Sequence, residues 1–205
     1  MKIKTLLLGN MQTNGYVVSD ENHHCLIIDP GANGKKVVHY LTENELVPEA
    51  VLLTHGHFDH IGAVDYLYEH YHCPIYLHQD DLEMLDNPQL SLSVYENPFT
   101  VKAPVQSSHE EMKFGDFDVQ WLHLPGHCPG SSMIYLKDEN IIFSGDVLFK
   151  GSIGRFDFPN SSKYETIESI NKIKEYDFDA VIYPGHGPNS TLSEERLNNP
   201  YLKKS

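Results

Sequence analysis

The sequence predicts an α+β fold in which two β-sheets pack together with helices on the outside. Three observations lead there. Short apolar or alternating runs of strand length recur in both halves of the chain. Segments with one apolar helical face are interspersed among them, and each such face must be buried against another layer. With 205 residues, 40% of them hydrophobic, the chain can bury a sizeable core and is read as one domain spanning residues 1–205.

Residues 2–9, 15–19 and 24–29 read as strands, with a polar turn at 20–22 closing a hairpin. A helix is expected around 35–46, with Val37, Val38 and Leu41 on one side, and residues 50–54 (AVLLT) form a short apolar run that suits a buried strand. The next helix starts near Gly62, because Val64, Leu67, Tyr68 and Tyr71 repeat at i, i+3, i+4 and i+7. Residues 74–78 are another strand. Residues 79–104 hold Pro88, Pro98 and Pro104, which points to a short helix and a long surface loop, with Tyr95 and Phe99 as candidate lid residues. Strands follow near 112–114, 118–124, 131–136 and 140–144, then a helix at 163–175 and a strand at 180–183. Thr191 and Glu194 form a capping-box pattern for a last short helix, which Pro200 ends.

Composition excludes several functions. Lys and Arg number 15 against 29 Asp and Glu, a formal charge of −14, whereas a nucleic-acid binder needs a basic footprint. Mean hydropathy is −0.39, and no run approaches the ~18 apolar residues of a membrane span. The N-terminal segment has Leu6, Leu7 and Leu8 but no longer apolar core or small-residue cleavage site, so no signal peptide is expected. Cys25, Cys73 and Cys128 are too few and too scattered for a disulfide framework. These features predict a reduced, cytoplasmic protein with no nucleic-acid or membrane partner.

Thirteen histidines remain to be explained. The strand at 50–54 runs directly into HGHFDH, which holds His55, His57, Asp59 and His60. A loop at a strand end can turn such side chains toward one point, and imidazole nitrogens with a carboxylate oxygen are what zinc, iron and manganese accept. At this chain's own residue frequencies the pattern arises by chance roughly 3 or 4 times per thousand sequences. Three further donors share the same setting. His127 sits in LPGHCPGS, Asp146 in FSGD and His186 in YPGHG, each shortly after an expected strand and beside glycine.

Taken together, HGHFDH, PGHCPGS, SGD and PGHG resemble the metallo-β-lactamase superfamily along nearly the whole chain. The resemblance implies an αββα sandwich of two mixed sheets with helices on the outer faces. It implies two divalent metal ions, zinc first with iron or manganese as alternatives. His55, His57 and His127 would hold one ion, Asp59, His60 and His186 the other, and Asp146 would bridge them. Two cations ~3.5–4 Å apart present hydroxide near neutral pH and polarise a carbonyl. Asp59 and Asp146 are therefore the candidate catalytic carboxylates. Ser144 and Cys128 neighbour expected ligands, but neither shows an activating base.

Within the superfamily, Asp146 at the bridging position argues against the true β-lactamase branches. His57 argues against the flavodiiron oxidoreductases, and the charge argues against the nucleases. GDVLFKGSIGRFDFPN (145–160) looks most like the glyoxalase II-type thioesterases, particularly their short bacterial form. Those enzymes act on S-(2-hydroxyacyl) thiol esters such as S-lactoylglutathione. In the longer members a Lys stands nine residues after the bridging Asp and holds the glutathione moiety; Arg155 occupies that place. A guanidinium can grip a carboxylate with two bonds, so Arg155, with Lys150, is the candidate contact to a small thioester substrate. The sequence departs from the longer enzymes in lacking their C-terminal helical domain and in having Asp157 where they have Tyr, which puts glutathione itself in question. Cys128, where Thr or Ser is usual, puts a thiol beside a ligand, either for packing or as an oxidation-sensitive position. No second metal cluster is expected among His23, His24, His39, His70, His72, His78, His109 and His123. The alternatives are a persulfide dioxygenase with one iron on His55, His127 and Asp146, and a lactonase.

Overall fold

Alternation along the strands sorts the buried side chains into three cores in the computed structural model, which describes residues 1–203. The first sheet is formed by β1 (Lys2–Leu8), β2 (Thr13–Ser19), β3 (His24–Ile28), β4 (Val47–Leu52), β5 (Ile75–Leu77) and β6 (Val105–Ser107), side by side in that order. β1 to β3 pair antiparallel; β3 to β6 pair parallel, so their connections must cross over. Those crossovers carry α1 (Gly34–Glu43), the single turn α2 (Phe58–Ile61), α3 (Val64–Tyr71) and the short α4 (Leu82–Asp86).

The second half supplies β7 (Glu111–Phe114), β8 (Phe117–His123), β9 (Ser132–Leu136) and β10 (Ile141–Gly145). A two-stranded ribbon, β11 (Leu148–Phe149) with β12 (Ser152–Ile153), comes next, then α5 (Lys163–Glu175). The chain ends in β13 (Val181–Pro184), β14 (Ser190–Thr191) and α6 (Leu192–Asn198). The second sheet has the order β14-β13-β10-β9-β8-β7, mixed because β10 and β13 are parallel.

Adjacent residues on one strand serve different layers. Val18, Leu26, Ile28 and Leu52 face the gap between the sheets, where they meet Trp121, Ile134, Leu136 and Phe143. Their neighbours Val17, Ile27, Val51 and Leu53 face outward against Val37 and Leu41 of α1 and Val64 and Leu67 of α3. On the other side Met133, Tyr135, Ile142 and Ile182 meet Ile170 and Ile173 of α5 and Leu192 of α6. The result is the α/β/β/α sandwich. A one-residue slip in any inner strand would exchange its two faces, each worth about 1.5–3 kcal/mol per large side chain, so register is strongly specified.

Both expected helix starts in the C-terminal part carry caps: Ser162 Oγ accepts from the Glu165 N–H, and Thr191 Oγ1 from the Glu194 N–H. The 79–104 segment corrects the sequence reading. It holds the expected short helix, α4, with Met84 and Leu85 buried, but the stretch after it is tied into the core, because Leu92 and Val101 are buried and β6 follows directly. Tyr95 is 77% exposed and Phe99 packs on the outer core of the first sheet. Among the described residues no helix is long and apolar enough to cross a membrane.

Candidate metal centre

Strand direction brings the donors together. β8 and β10 are each antiparallel to β9, and β13 is parallel to β10, so β8, β10 and β13 all run the same way. His127, Asp146 and His186, which follow these three strands, therefore emerge at one edge of the second sheet. From the first sheet, β4 delivers His55 and His57 just before α2, and Asp59 and His60 on α2 itself. All seven sequence-expected residues meet between the sheets at this edge.

Their donor atoms form overlapping groups. His55, His57 and His127, with Cys128, can each turn one atom to within 4.8 Å of the others; so can Asp59, His60 and His186, and His55, His60 and Asp146. His57 Nδ1 lies 3.0 Å from His127 Nε2. Asp146 stands between the groups: Oδ1 is 3.4 Å from His60 Nε2 and 3.7 Å from His186 Nε2, while Oδ2 is 3.6 Å from His127 Nε2. Asp59 Oδ2 lies 3.2 Å from His186 Nε2 and 3.6 Å from His60 Nε2.

Three of these atoms, His55 Nε2, His60 Nε2 and Asp146 Oδ1, are buried with no hydrogen-bond partner. A buried polar atom left so costs about 1–3 kcal/mol, and three converging on one point require a ligand that takes lone pairs. Nitrogen and carboxylate donors in this number fit divalent cations. Electrostatics agree. Burial, reinforced by neighbouring imidazoles, holds His55 well below its usual range and brings His57 down to about 3. Burial also lowers His127. These rings are neutral and able to ligate at physiological pH. Burial opposes charge on His60 as well, but Asp59, Asp29 and Asp146 together outweigh it and raise its pKa. Burial opposes charge on Asp59 and Asp146 too; His60 first, then the other imidazoles, overcomes it and holds both carboxyls low. The site thus concentrates negative charge where cations would neutralise it.

A profile of the metallo-beta-lactamase superfamily matches residues 8–186. The chain belongs to that superfamily. It is 39% identical to the "Probable metallo-hydrolase YqgX" of Bacillus subtilis (strain 168), with 98% of each chain covered. It is 32% identical to the "Hydroxyacylglutathione hydrolase GloC" of Haemophilus influenzae, again covering 98% of each. Among solved structures, BLEG-1 B3 metallo-beta-lactamase superposes with a TM-score of 0.92 at 36% identity, covering 99% of this chain and 100% of that one. TTHA1623 in a di-iron-bound form gives 0.87 at 37% identity, covering 97% and 100%. Superfamily membership and the donor groups together identify a metal-dependent hydrolase that uses divalent metal.

The candidate donors rest on residues that the sequence alone did not single out. Asp29, just past β3, accepts from the Thr54 N–H and hydroxyl at 2.8 and 2.6 Å and from His60 Nδ1 at 2.9 Å. Its position at a strand end in Asp29-Pro30-Gly31 repeats the signal that singled out Asp146. Thr13 Oγ1 donates to Asp59 Oδ2 at 2.8 Å. Asp81, fully buried, accepts from the Gly56 N–H at 3.0 Å and the Gly130 N–H at 2.6 Å, tying the His55–His57 segment to the loop after His127. Burial raises its carboxyl to about 6 against the pull of those two donors. Gly145 has φ +48, which lets the chain turn out of β10 to present Asp146. At Gly154 a Cβ would stand 1.8 Å from the Asp146 carbonyl oxygen.

The two expected substrate contacts are engaged elsewhere. Arg155 makes a two-bonded pair with Asp157 at 2.9 Å, and its guanidinium lies 4.6 Å from the Phe158 ring centre. Its backbone serves the centre instead, because His127 Nδ1 donates to the Arg155 carbonyl at 2.7 Å. Lys150 pairs with Glu194 at 3.2 Å. Ser144 donates to the Leu148 carbonyl at 2.7 Å, and burial pushes the Cys128 thiol well up, so neither is an activated nucleophile. His78 and His123, separate in the sequence, stack with ring centres 3.8 Å apart, and Asp80 is close enough to complete a donor trio. The expectation of no second cluster is corrected to that extent. The rings are nearly parallel, at 14°, and His123 Nε2 is 2.8 Å from the Pro129 carbonyl, an arrangement that suits a stacked pair better than shared coordination.

Proposed function

We propose that this chain hydrolyses S-(2-hydroxyacyl) thiol esters, with two divalent cations held by His55, His57 and His127 on one side and Asp59, His60 and His186 on the other. The observation that carries this reading is the Asp146 carboxylate, whose two oxygens face opposite donor groups. Such a pair of cations, when bound, would supply a hydroxide nucleophile at neutral pH and polarise the acyl carbonyl. The protein's part is positioning. Thr13 orients Asp59, Asp29 orients His60, and the Arg155 carbonyl orients His127, so each donor meets its task in one geometry. Phe158 packs edge-on against His57 and His127, shielding that side from water. A cleft of about 210 Å³ lined by Leu8, Met11, Phe58, Asp59 and Phe99 opens beside the centre and suits a small acyl group. A thiolate leaves without a proton donor, which fits the absence of an assigned general acid.

The relation to GloC supports the thioester class, and Arg155 and Lys150 are the proposed contacts to the substrate's anionic part. The soluble, cytoplasmic setting expected from the sequence fits a small thioester. The test is metal content per chain measured beside turnover of lactoyl-thiol esters, with and without glutathione as the thiol, and of lactones. About two metals per chain with thioester turnover is the expected result. One iron with oxygen uptake would replace this reading with the persulfide dioxygenase, and turnover confined to lactones with the lactonase.

A further inference from the structure

The β11–β12 ribbon is too short to hold itself. Each strand has two residues, and a lone two-stranded hairpin is marginal in water even when longer. Yet the ribbon links Asp146 to Gly154 and Arg155, which both bear on the metal centre. His127 Nδ1 donates to the Arg155 carbonyl at 2.7 Å, and the Gly154 backbone lies directly against the Asp146 carbonyl. Anchors outside the ribbon must therefore fix it. At its base, Ser144 Oγ donates to the Leu148 carbonyl at 2.7 Å. At its turn, the anchors come from α6 and the residue that caps it. Glu195 Oε2 accepts from the Gly151 N–H at 2.7 Å. Asn199 Nδ2 donates to the Ser152 carbonyl at 3.0 Å and, more loosely, to the Phe149 carbonyl at 3.3 Å.

We propose that Glu195 and Asn199 are positioning residues for the metal centre, acting through this ribbon. Both are fully buried, at 1% and 0% exposed. A carboxylate so buried is costly unless hydrogen bonds satisfy it. The three partners of Glu195 are all neutral donors: the Gly151 N–H, the Asn199 amide at 2.8 Å and the Ser190 hydroxyl. Packing alone would be served by an apolar side chain, as it is by Leu192 three residues earlier on the same helix. What the polar pair adds is a partner for three backbone groups within residues 149–152. Neither residue touches a donor of the centre. Their effect passes along the chain to the Arg155 carbonyl, which sets the direction of the His127 ring and so of its Nε2.

The test loads the full chain with zinc, competes the metal with a chelator, and follows amide hydrogen exchange in the ribbon. Glu195→Ala and Asn199→Ala should each lose zinc roughly tenfold more readily, at the low end for loss of an outer partner. Both should also speed exchange at Gly151 while β9 and β10 stay protected. Ile173→Val, which thins the same outer core from α5 without touching the ribbon, is the control for lowered stability. Glu195→Gln keeps one oxygen for Gly151 and turns its amide toward Ser190, so it should hold zinc nearly as the wild type does. If Glu195→Ala fails to fold, Asn199→Ala, which leaves Glu195 two of its three donors, carries the test. Zinc loss no greater than in Ile173→Val, ribbon exchange as slow as in the wild type, or Glu195→Gln no better than Glu195→Ala would each overturn the proposal. None of these outcomes depends on thioester turnover.

Discussion

Asp29 is buried behind the donor cluster, yet it decides which nitrogen His60 offers. Its Oδ2 takes the Nδ1–H at 2.9 Å, which leaves Nε2 with a lone pair aimed at the donor cluster. Replacing a carboxylate in this position costs about 10–100-fold in metal affinity in comparable sites. Asp29→Ala should therefore lose metal to a competing chelator 10–100-fold more readily, as read by metal analysis after equilibration; an unchanged competition curve would assign Asp29 a purely structural part. Arg155 is a second case at this scale. Asp157 takes two of the five N–H donors of its guanidinium, and both side chains are exposed, so an incoming carboxylate competes with Asp157 for the charge. If Arg155 receives the substrate, Asp157→Ala should lower KM for an anionic thioester several-fold with kcat nearly unchanged, and Arg155→Ala should raise it. Equal KM in both variants would remove Arg155 from the binding site.

At the scale of elements, the centre is held by close approaches between short segments. The β11–β12 ribbon returns the chain so that Gly154 lies against Asp146, where a Cβ would sit 1.8 Å from the Asp146 carbonyl oxygen and 3.1 Å from His127 Nδ1. Gly154→Ala must push both donors aside, and a displacement of about 1 Å in such a site costs roughly 100-fold in rate. The expected result is a drop of that size in kcat/KM together with a lower melting temperature and weaker metal retention than the wild type. Full activity would show that the ribbon moves freely. These elements were the least legible in the sequence. α2 has four residues and each ribbon strand two, too few to display a period of 3.6 or 2. The donors were legible for the opposite reason: their chemistry is rare and their spacing is local. Asp29 repeats the same strand-end pattern, but Asp-Pro-Gly also reads as an ordinary turn, and Asp81 lies in a proline-punctuated stretch whose burial no local pattern shows.

Across the whole molecule, the two sheets are joined at this edge by buried polar atoms that the protein alone leaves unpartnered. His55 Nε2, His60 Nε2 and Asp146 Oδ1 are buried there with no protein partner. Metal that binds the folded chain far more tightly than the unfolded one stabilises it by about 4 kcal/mol at a thousandfold excess over Kd. Metal-free protein should melt roughly 8–16 °C lower than metal-loaded protein by calorimetry. Identical melting curves would mean that the centre is held by the fold alone.

By itself the sequence determined the α+β class, the main strands and helices, and the seven candidate donors, because alternation, amphipathic stripes and short motifs are local properties. It also located Arg155 and Lys150 but not their pairing with Asp157 and Glu194. Only the tertiary structure decided that three strands of one sheet run the same way and so deliver His127, Asp146 and His186 to one edge. It alone set Asp146 between two donor groups and put Asp29 and Asp81 behind them. The reason is physical: those meetings join residues from tens to more than a hundred positions apart, and sheet order and strand direction, which no local pattern encodes, determine which of them occur.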